Sequence, residues 1–433
     1  MEKNKVIKNA FWIIGLQIIK SLLGMVISML TARFLGPSNF GLINYASSIV
    51  AFVVPIMNLG LTGVLVQELV SNPEKEGEIL GTAIALSFIS SLFCISGVIS
   101  FVSTVNHGEV ETLIVCALYS ILLVFQSIEI ISYWFQAKLL SKYSSIVSLL
   151  AYAVVAAYKI YLLATQKSVY WFAVSNAIDY MLIAGGLFIV YKKLGGNRLS
   201  FSMQTAKQLF SKSRYYIISN MMITIFAQTD KIMLKLMIDE TATGYYSAAV
   251  ACAGMTSFVF SAIIDSMRPM IFERKKEDNE AFEKNVSRLY CLIIYLSIAQ
   301  SIVMTLFAPF IVNILYGADY QNTISILQVL VWYTTFSYMG AVRNIWILAE
   351  NKQKYLWIIN LSGAATNVLL NALLIPIMGG VGAALASLIT QFFTNVLIGY
   401  IIRPIFRNNV LMLKGLNPKD IINAIKILTK RRR

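Results

Sequence analysis

Charge is scarce in this chain: 13% of its 433 residues are Asp, Glu, Lys or Arg, about half the share of an ordinary soluble domain. Histidine is scarcer still. His107 is the only one, so neither a His/Cys metal set nor a Ser/His nucleophile can be assembled, and no metal centre or catalytic group is expected. The four cysteines, Cys94, Cys116, Cys252 and Cys291, all fall inside apolar runs. There a thiol behaves as a small hydrophobe, and no disulfide is expected. The Lys-Ser pairs at Lys20, Lys167 and Lys212 follow Ile, Gln and Ser rather than Gly. A phosphate-cradling loop is therefore missing, and with it ATP hydrolysis of that kind. The longest hydrophilic stretches, around 191–213 and 268–287, are too short for a soluble domain.

What is present is apolar: 58% hydrophobic residues and a mean hydropathy of +0.70. Since about 20 apolar residues cross a bilayer, the runs suffice for roughly twelve spans. They fall near 10–32, 42–66, 79–102, 112–135, 143–164, 169–190, 214–236, 244–267, 288–311, 325–349, 355–376 and 380–402. With the N-terminus inside, 29 of the 36 Lys and Arg lie in or beside cytoplasmic segments, and Arg33, Lys167 and Lys235 fall outside. That bias predicts both termini in the cytoplasm. The net charge of +15 thus reports topology and membrane lipids as partners, with no nucleic acid.

The halves repeat. Trp134, Ala137, Lys142, Tyr143, Ile146 and Leu149 recur 212 residues later as Trp346, Ala349, Lys354, Tyr355, Ile358 and Leu361. An even number of spans per repeat gives both copies one orientation. The expected architecture is all-α: a six-helix lobe over 1–200, a second over 201–403, and a basic tail over 404–433. From Asn417, with Pro418 at the first helical position, the tail reads as an amphipathic helix on the anionic leaflet.

Ionisable side chains within spans are costly and usually face an aqueous cavity or the bundle interior. Lys20 and Asp179 sit near span centres. Lys159, Lys231, Arg343, Glu129, Asp230 and Asp265 lie nearer the ends. Polar stripes at helical spacing run along span 1 (Gln17, Lys20, Gly24, Ser28), span 7 (Asn220, Thr224, Gln228, Lys231) and span 11 (Asn360, Gly363, Asn367, Asn371). Such residues either line a cavity or mediate helix packing. Asp179 is also a candidate partner for Lys20. Pro55, inside span 2, is expected to bend it.

ARFLGPSNFGLINYA from Ala32, TDKIML from Thr229, ATGYYSAA from Ala242 and NALLIPIMGGVGAALAS from Asn371 occur in that order. In these motifs and over nearly its full length the chain resembles the Wzx-type polysaccharide flippases of the multidrug/oligosaccharidyl-lipid/polysaccharide exporter superfamily. The resemblance implies a MATE-like fold in the bacterial inner membrane. It also implies a flippase, not an enzyme, that moves undecaprenyl-pyrophosphate-linked O-antigen or capsule repeat units outward by alternating access. The lipid-linked oligosaccharide would be its substrate, with a polysaccharide polymerase and chain-length proteins as implied partners. On that reading Lys20, Lys159, Lys231 and Arg343 face the anionic headgroup, and Arg33 stands at the outer mouth. Gln17, Asn220, Gln228, Asn360, Asn367 and Asn371 hydrogen-bond sugars. No bound cofactor is expected; uphill transport would draw on a proton or sodium gradient, with Asp179, Glu129 and Asp230 as ion-coupling candidates.

Two other carriers compete, a lipid II flippase and a cation-coupled multidrug exporter, and charge inside the spans does not separate them. A membrane polysaccharide polymerase would need a large outer loop with basic residues, which the sequence lacks.

Overall fold

The computed structural model describes the backbone of residues 2–417 and the side chains from Gly15 onward except Gln17. The expected amphipathic tail helix and the Gln17 side chain therefore lie outside the described residues. Among those residues every regular element is a helix. The chain divides into two compact units, Met1–Leu236 and Met237–Arg433. The first contains α1 (Glu2–Met57), α2 (Leu65–Ser71), α3 (Glu76–Val105), α4 (Val110–Ser120), α5 (Leu122–Glu129), α6 (Ser132–Ala137), α7 (Ser141–Ala164), α8 (Val169–Lys193) and nearly all of α9 (Met203–Met237). The second contains α10 (Glu240–Gly254), α11 (Ser257–Glu277), α12 (Asn279–Leu315), α13 (Asn322–Ala349), α14 (Leu356–Phe392), α15 (Ile398–Ile401) and α16 (Phe406–Lys414). Seven described helical stretches are long and apolar enough to cross a membrane, or eight if α10 and α11, bent by 43°, form one span. The protein is multi-pass.

Two long helices are broken at glycine. In α1 the backbone leaves the helical region at Gly36 (φ 72°, ψ 172°), just before Pro37. In α14 it does so at Gly379 (φ 54°, ψ −131°), three residues after Pro376. Only glycine enters this region without a Cβ penalty, and proline removes the amide the continuing helix would need. Both breaks fall between spans expected from hydropathy. Pro55 is different. The helix ends at Met57, and the chain turns through Leu59 (φ 49°) and Gly60 (φ 66°). Pro55 thus occupies the last turn rather than a mid-span bend, because the two left-handed residues stop the helix before the predicted span does.

The repeat is visible in the backbone. After α6, Leu140 N donates to Phe135 O at 2.7 Å and Leu139 N to Gln136 O at 3.1 Å. After α13, Lys352 N donates to Ile347 O at 2.9 Å and Asn351 N to Leu348 O at 3.2 Å. These paired bonds form the Schellman closure of a helix, which needs a left-handed residue at its penultimate position. Leu139 (φ 57°) and Asn351 (φ 54°) occupy it, at the same 212-residue offset as the matched sequence. Trp134 and Trp346 lie buried ahead of the two turns.

α9 is the main departure from the expected division at 200/201. Its N-terminal half packs on the turn after α1: Ser213 Oγ donates to Leu59 O at 2.7 Å, and a Cβ at Gly60 would lie 2.4 Å from Ser213 O. The preceding linker is bound to α8 and α3. Tyr191 Oη donates to Asn197 O at 2.6 Å, Ser200 N to Gly77 O at 3.3 Å, and Ser202 N to Thr82 Oγ1 at 3.1 Å. A Cβ at Gly77 would come 2.4 Å from Arg198 O, so backbone meets backbone there. In the second unit, α16 is integrated into the fold, although the sequence places it in the tail. Asn408 and Asn409 are buried. Tyr290 Oη donates to Asn408 Oδ1 at 2.9 Å, and Arg407 grips Glu283 through Nε at 2.7 Å and a second nitrogen at 2.5 Å.

A leucine in the left-handed region carries about 1–2 kcal/mol of steric strain, only partly offset by the extra unfolded-state entropy of a glycine. Leu139→Gly is expected to raise the melting temperature of the detergent-solubilised chain, and Asn351→Leu to lower it. A lower melting temperature for Leu139→Gly would show that this turn is not strained. Gly77→Leu is expected to destabilise the chain by about 1–3 kcal/mol through overpacking, and a wild-type melting temperature would refute the close approach.

Candidate functional site

Within the first unit, α1, α7 and α8 bring their polar faces together. Ser148, Tyr152 and Lys159 lie four and seven residues apart and share one side of α7. Lys20 on α1 donates from Nζ to Ser148 Oγ at 2.8 Å and stands 5.6 Å from the centre of the Tyr152 ring. Lys159 Nζ donates to Asn176 Oδ1 on α8 at 3.5 Å. A hollow of about 170 Å³ opens here, lined by Gly24, Ser28, Asn44, Tyr152, Lys159 and Asn176 among others. Gly24 lets the tyrosine approach, since a Cβ there would sit 3.3 Å from its hydroxyl.

Two carboxylates complete the cluster. Asp179 follows Asn176 by one turn of α8 and interacts electrostatically with both Lys20 and Lys159; Glu129 interacts with Lys20 and Asp179. Glu129 owes its place to a broken helix. Between α4 and α6 the ladder tightens to three-residue bonds, with Val124 N donating to Ile121 O and Ile131 N to Ile128 O, each at 3.1 Å. Ser120 and Ser127 donate back to Ala117 O (2.7 Å) and Val124 O (2.6 Å). Serine back-bonding of this kind bends helices, and mid-helix tightening often accompanies function. Asp179 Oδ1 and Gln126 Oε1 are buried acceptors with no hydrogen-bond partner among the described residues. Each such acceptor costs about 1–3 kcal/mol, which an incoming donor would recover.

Two lysines facing two carboxylates make the cluster nearly neutral when all four are charged. The sequence identifies these four groups, with Asp179 as a candidate partner for Lys20; the structure sets Lys20, Lys159, Asp179 and Glu129 within one another's electrostatic reach. It also adds Ser148, Tyr152, Asn176 and Asn44. The spacing of Ser148, Tyr152 and Lys159 on one face of α7 was the available signal.

The other expected residues lie elsewhere. Gln228 on α9 accepts from Ser48 Oγ at 3.0 Å, and Ser48 also donates to Asn44 O at 2.8 Å, so this glutamine is tied to the helix that lines the hollow. Asn220 is half-buried, its carbonyl accepting from Thr224 Oγ1 at 3.0 Å. Asp230 is buried and Lys231, next to it, lies within its field. The α1 and α9 stripes, expected on opposite lobes, belong to one unit. Arg33 is exposed. In the second unit Asn371 Nδ2 donates to Asn367 Oδ1 at 3.1 Å with both residues fully buried, while Asn360 is half-buried. Arg343 is buried with one guanidinium nitrogen on Thr394 O at 2.5 Å and another on Asn344 Oδ1 at 3.2 Å. Thr394 belongs to the π-helical turn Phe393–Leu397, where a widened ladder frees carbonyls for such a donor.

Lys235, assigned with Arg33 and Lys167 to the outer side, has a side chain only 5% exposed that pairs with Glu109 at 2.8 Å. Partial burial works against ionisation of Glu109, but hydrogen bonds from Lys235 and Thr112 outweigh it and hold the carboxyl below the usual carboxylate range. A depressed folded-state pKa means that the pair's stabilisation is present above the unfolded-state value and is lost as pH falls through the folded one. Glu109→Gln is expected to destabilise the chain at neutral pH by about 1–3 kcal/mol, less than a fully buried pair because Glu109 is partly solvated. The loss relative to wild type should disappear in melts run well below pH 4. A deficit that persists unchanged at low pH would rule the ion pair out as its cause.

A multi-pass, helical membrane protein with repeated halves and a half-buried charged cluster within one of them is the class defined by fold and site. The chain belongs to the polysaccharide biosynthesis protein family, whose model matches residues 6–275. It is 20% identical over 92% of its length to the capsular polysaccharide biosynthesis protein CapF of Staphylococcus aureus, covering 100% of that protein. A probable low-salt glycan biosynthesis flippase of Haloferax volcanii is 22% identical over 52% of this chain and 48% of its own. An uncharacterized membrane protein of Methanocaldococcus jannaschii is 28% identical over 59% of this chain and 52% of its own. The chain thus spans about half the length of the latter two relatives. Among solved structures, the lipid II flippase MurJ in an inward closed conformation superposes with a TM-score of 0.75 at 15% identity, covering 96% of this chain and 92% of its own. An inward-facing multidrug resistance MATE transporter of the MOP superfamily reaches 0.64 at 14% identity, covering 90% of this chain and 96% of its own. At these identities the structural likeness is one of fold. The kinship agrees with the sequence motifs and is with flippases and transporters rather than enzymes.

Proposed function

We propose that the protein flips an undecaprenyl-pyrophosphate-linked oligosaccharide repeat unit from the cytoplasmic to the outer leaflet of a bacterial inner membrane. The two lobes would alternate access, and both termini would face the cytoplasm. The observation that carries this reading is the half-buried cluster of Lys20, Lys159, Asp179 and Glu129 beside a polar hollow within membrane-spanning helices. A pyrophosphate cannot enter hydrocarbon without cationic partners, and lysines in a low-dielectric setting supply them.

The carboxylates set when those lysines are available. With Asp179 and Glu129 ionised the cluster is close to neutral. Protonation of both leaves Lys20 and Lys159 without neutralising charge, Lys159 lining the hollow itself, which favours the anionic headgroup. Headgroup binding and proton uptake then reinforce each other, and these two carboxylates are the proposed coupling groups in place of a bound cofactor. Asp230, beside Lys231, is a second candidate. A polysaccharide polymerase and chain-length proteins would consume the flipped product.

The test is genetic and biochemical. Deleting the gene should abolish surface polysaccharide and make lipid-linked oligosaccharide accumulate on the inner leaflet, and the intact gene should restore export. Lys20→Ala and Lys159→Ala, present at normal protein levels, are expected to cut export at least tenfold, with Lys20→Arg retaining more than Lys20→Ala. Asp179→Asn should preserve headgroup binding while flattening the pH dependence of transport. Wild-type export in both alanine variants would overturn the proposal. Drug efflux without glycan accumulation would favour a multidrug exporter instead.

A further inference from the structure

A second hollow, of about 480 Å³, lies in the second unit where the start of α10, the start of α13 and the Gly379 break of α14 meet. This volume falls within the range typical of small-molecule sites. Its polar lining is supplied by Asp239, Thr241, Tyr245, Asn322 and Ser325, and no Lys, Arg or His is among the described residues that line it. A pyrophosphate would find no cation there. Hydroxyl, amide and carboxylate groups do offer a dense mixture of donors and acceptors, which suits an array of sugar hydroxyls.

The groups are held in place by their own contacts. One Asp239 oxygen accepts from Ala242 N at 2.7 Å and caps α10. Ser325 Oγ donates to Asn322 O at 3.2 Å. The Tyr245 ring stands edge-on to the buried Tyr320 at 6.0 Å, and its backbone carbonyl accepts from Thr323 Oγ1 at 3.2 Å. Gly380 lies at the opposite wall, where a Cβ would fall 2.5 Å from Ile326 Cδ1. Such preformed sites with an apolar body and a few placed polar groups bind small ligands with little reorganisation.

We infer that this hollow is a saccharide subsite holding an uncharged sugar segment of the transported glycan. It lies at the opposite end of the unit from the Lys- and Arg-rich segment around 268–287, hence toward the outer leaflet in the proposed orientation. The inference rests on the glycan-flippase reading and deepens it. The hollow takes the sugar through hydroxyl, amide and carboxylate groups without a cation.

The experiment is saturation-transfer NMR on the full-length chain in a detergent without a sugar headgroup. The probes are maltose, cellobiose and N,N′-diacetylchitobiose. Wild-type chain should transfer saturation to at least one disaccharide. Ser325→Trp, which fills the hollow from an exposed position, and Tyr245→Leu should reduce that transfer at least fivefold, while Lys193→Ala, at the exposed end of α8 outside both hollows, leaves it unchanged. Equal transfer from Ser325→Trp and wild type, or none from a wild-type chain that restores polysaccharide export in the deletion strain, overturns the subsite. A wild-type chain that fails to restore export overturns the flippase reading itself, so the two failures are distinguishable.

Discussion

A bilayer interior offers no water to a polar group, so each one placed there must find its partner within the chain. That constraint organises this protein at every level. It confines the backbone to helices. It turns Ser120 and Ser127 back onto their own helix carbonyls, pairs Asn367 with Asn371, and sets the Arg343 guanidinium on Thr394 O. Where chain breaks are needed, they occur at residues that tolerate them, Gly36 and Gly379, or at closed turns such as those through Leu139 and Asn351.

Against this background the polar cluster of the first unit stands out by its composition. Most buried polar groups elsewhere are neutral and satisfied in pairs. Here four ionisable side chains share one region, Lys20 and Lys159 bond to neutral Ser148 and Asn176, and Asp179 Oδ1 has no hydrogen-bond partner among the described residues. Strong Coulombic coupling at low dielectric makes the protonation of one carboxylate sensitive to every other charge nearby. On the proposed reading, this arrangement would couple an arriving anion to a proton. The second unit, by contrast, places its conspicuous cation, Arg343, in backbone packing at a π-helical turn, and the hollow at the start of α10 is lined without basic side chains.

Much of this was readable in the linear order of residues. Mid-span Lys20 and Asp179 announce a polar site because nothing else justifies their cost, and the 212-residue offset announces the repeat. The pairing of Lys20 with Ser148 and Tyr152 was not readable, since 128 residues separate donor and acceptor and hydropathy says nothing about which helices adjoin. The burial of Lys235 was unreadable for a related reason, since its partner Glu109 lies far away along the chain. The placement of α9 with the first unit also escaped prediction, because repeat symmetry marks equivalent segments and not their packing partners.

Local chemistry therefore decided the helical, membrane-spanning character of the chain, the positions of its breaks and its duplicated plan. These follow from residue-by-residue solvation cost and backbone sterics, which act over one or two helical turns. Which polar faces meet, which charges neutralise one another and where hollows remain were decided by tertiary packing. Those outcomes depend on contacts between residues far apart along the chain, and the apolar surfaces that drive the helices together are too alike to specify them in advance.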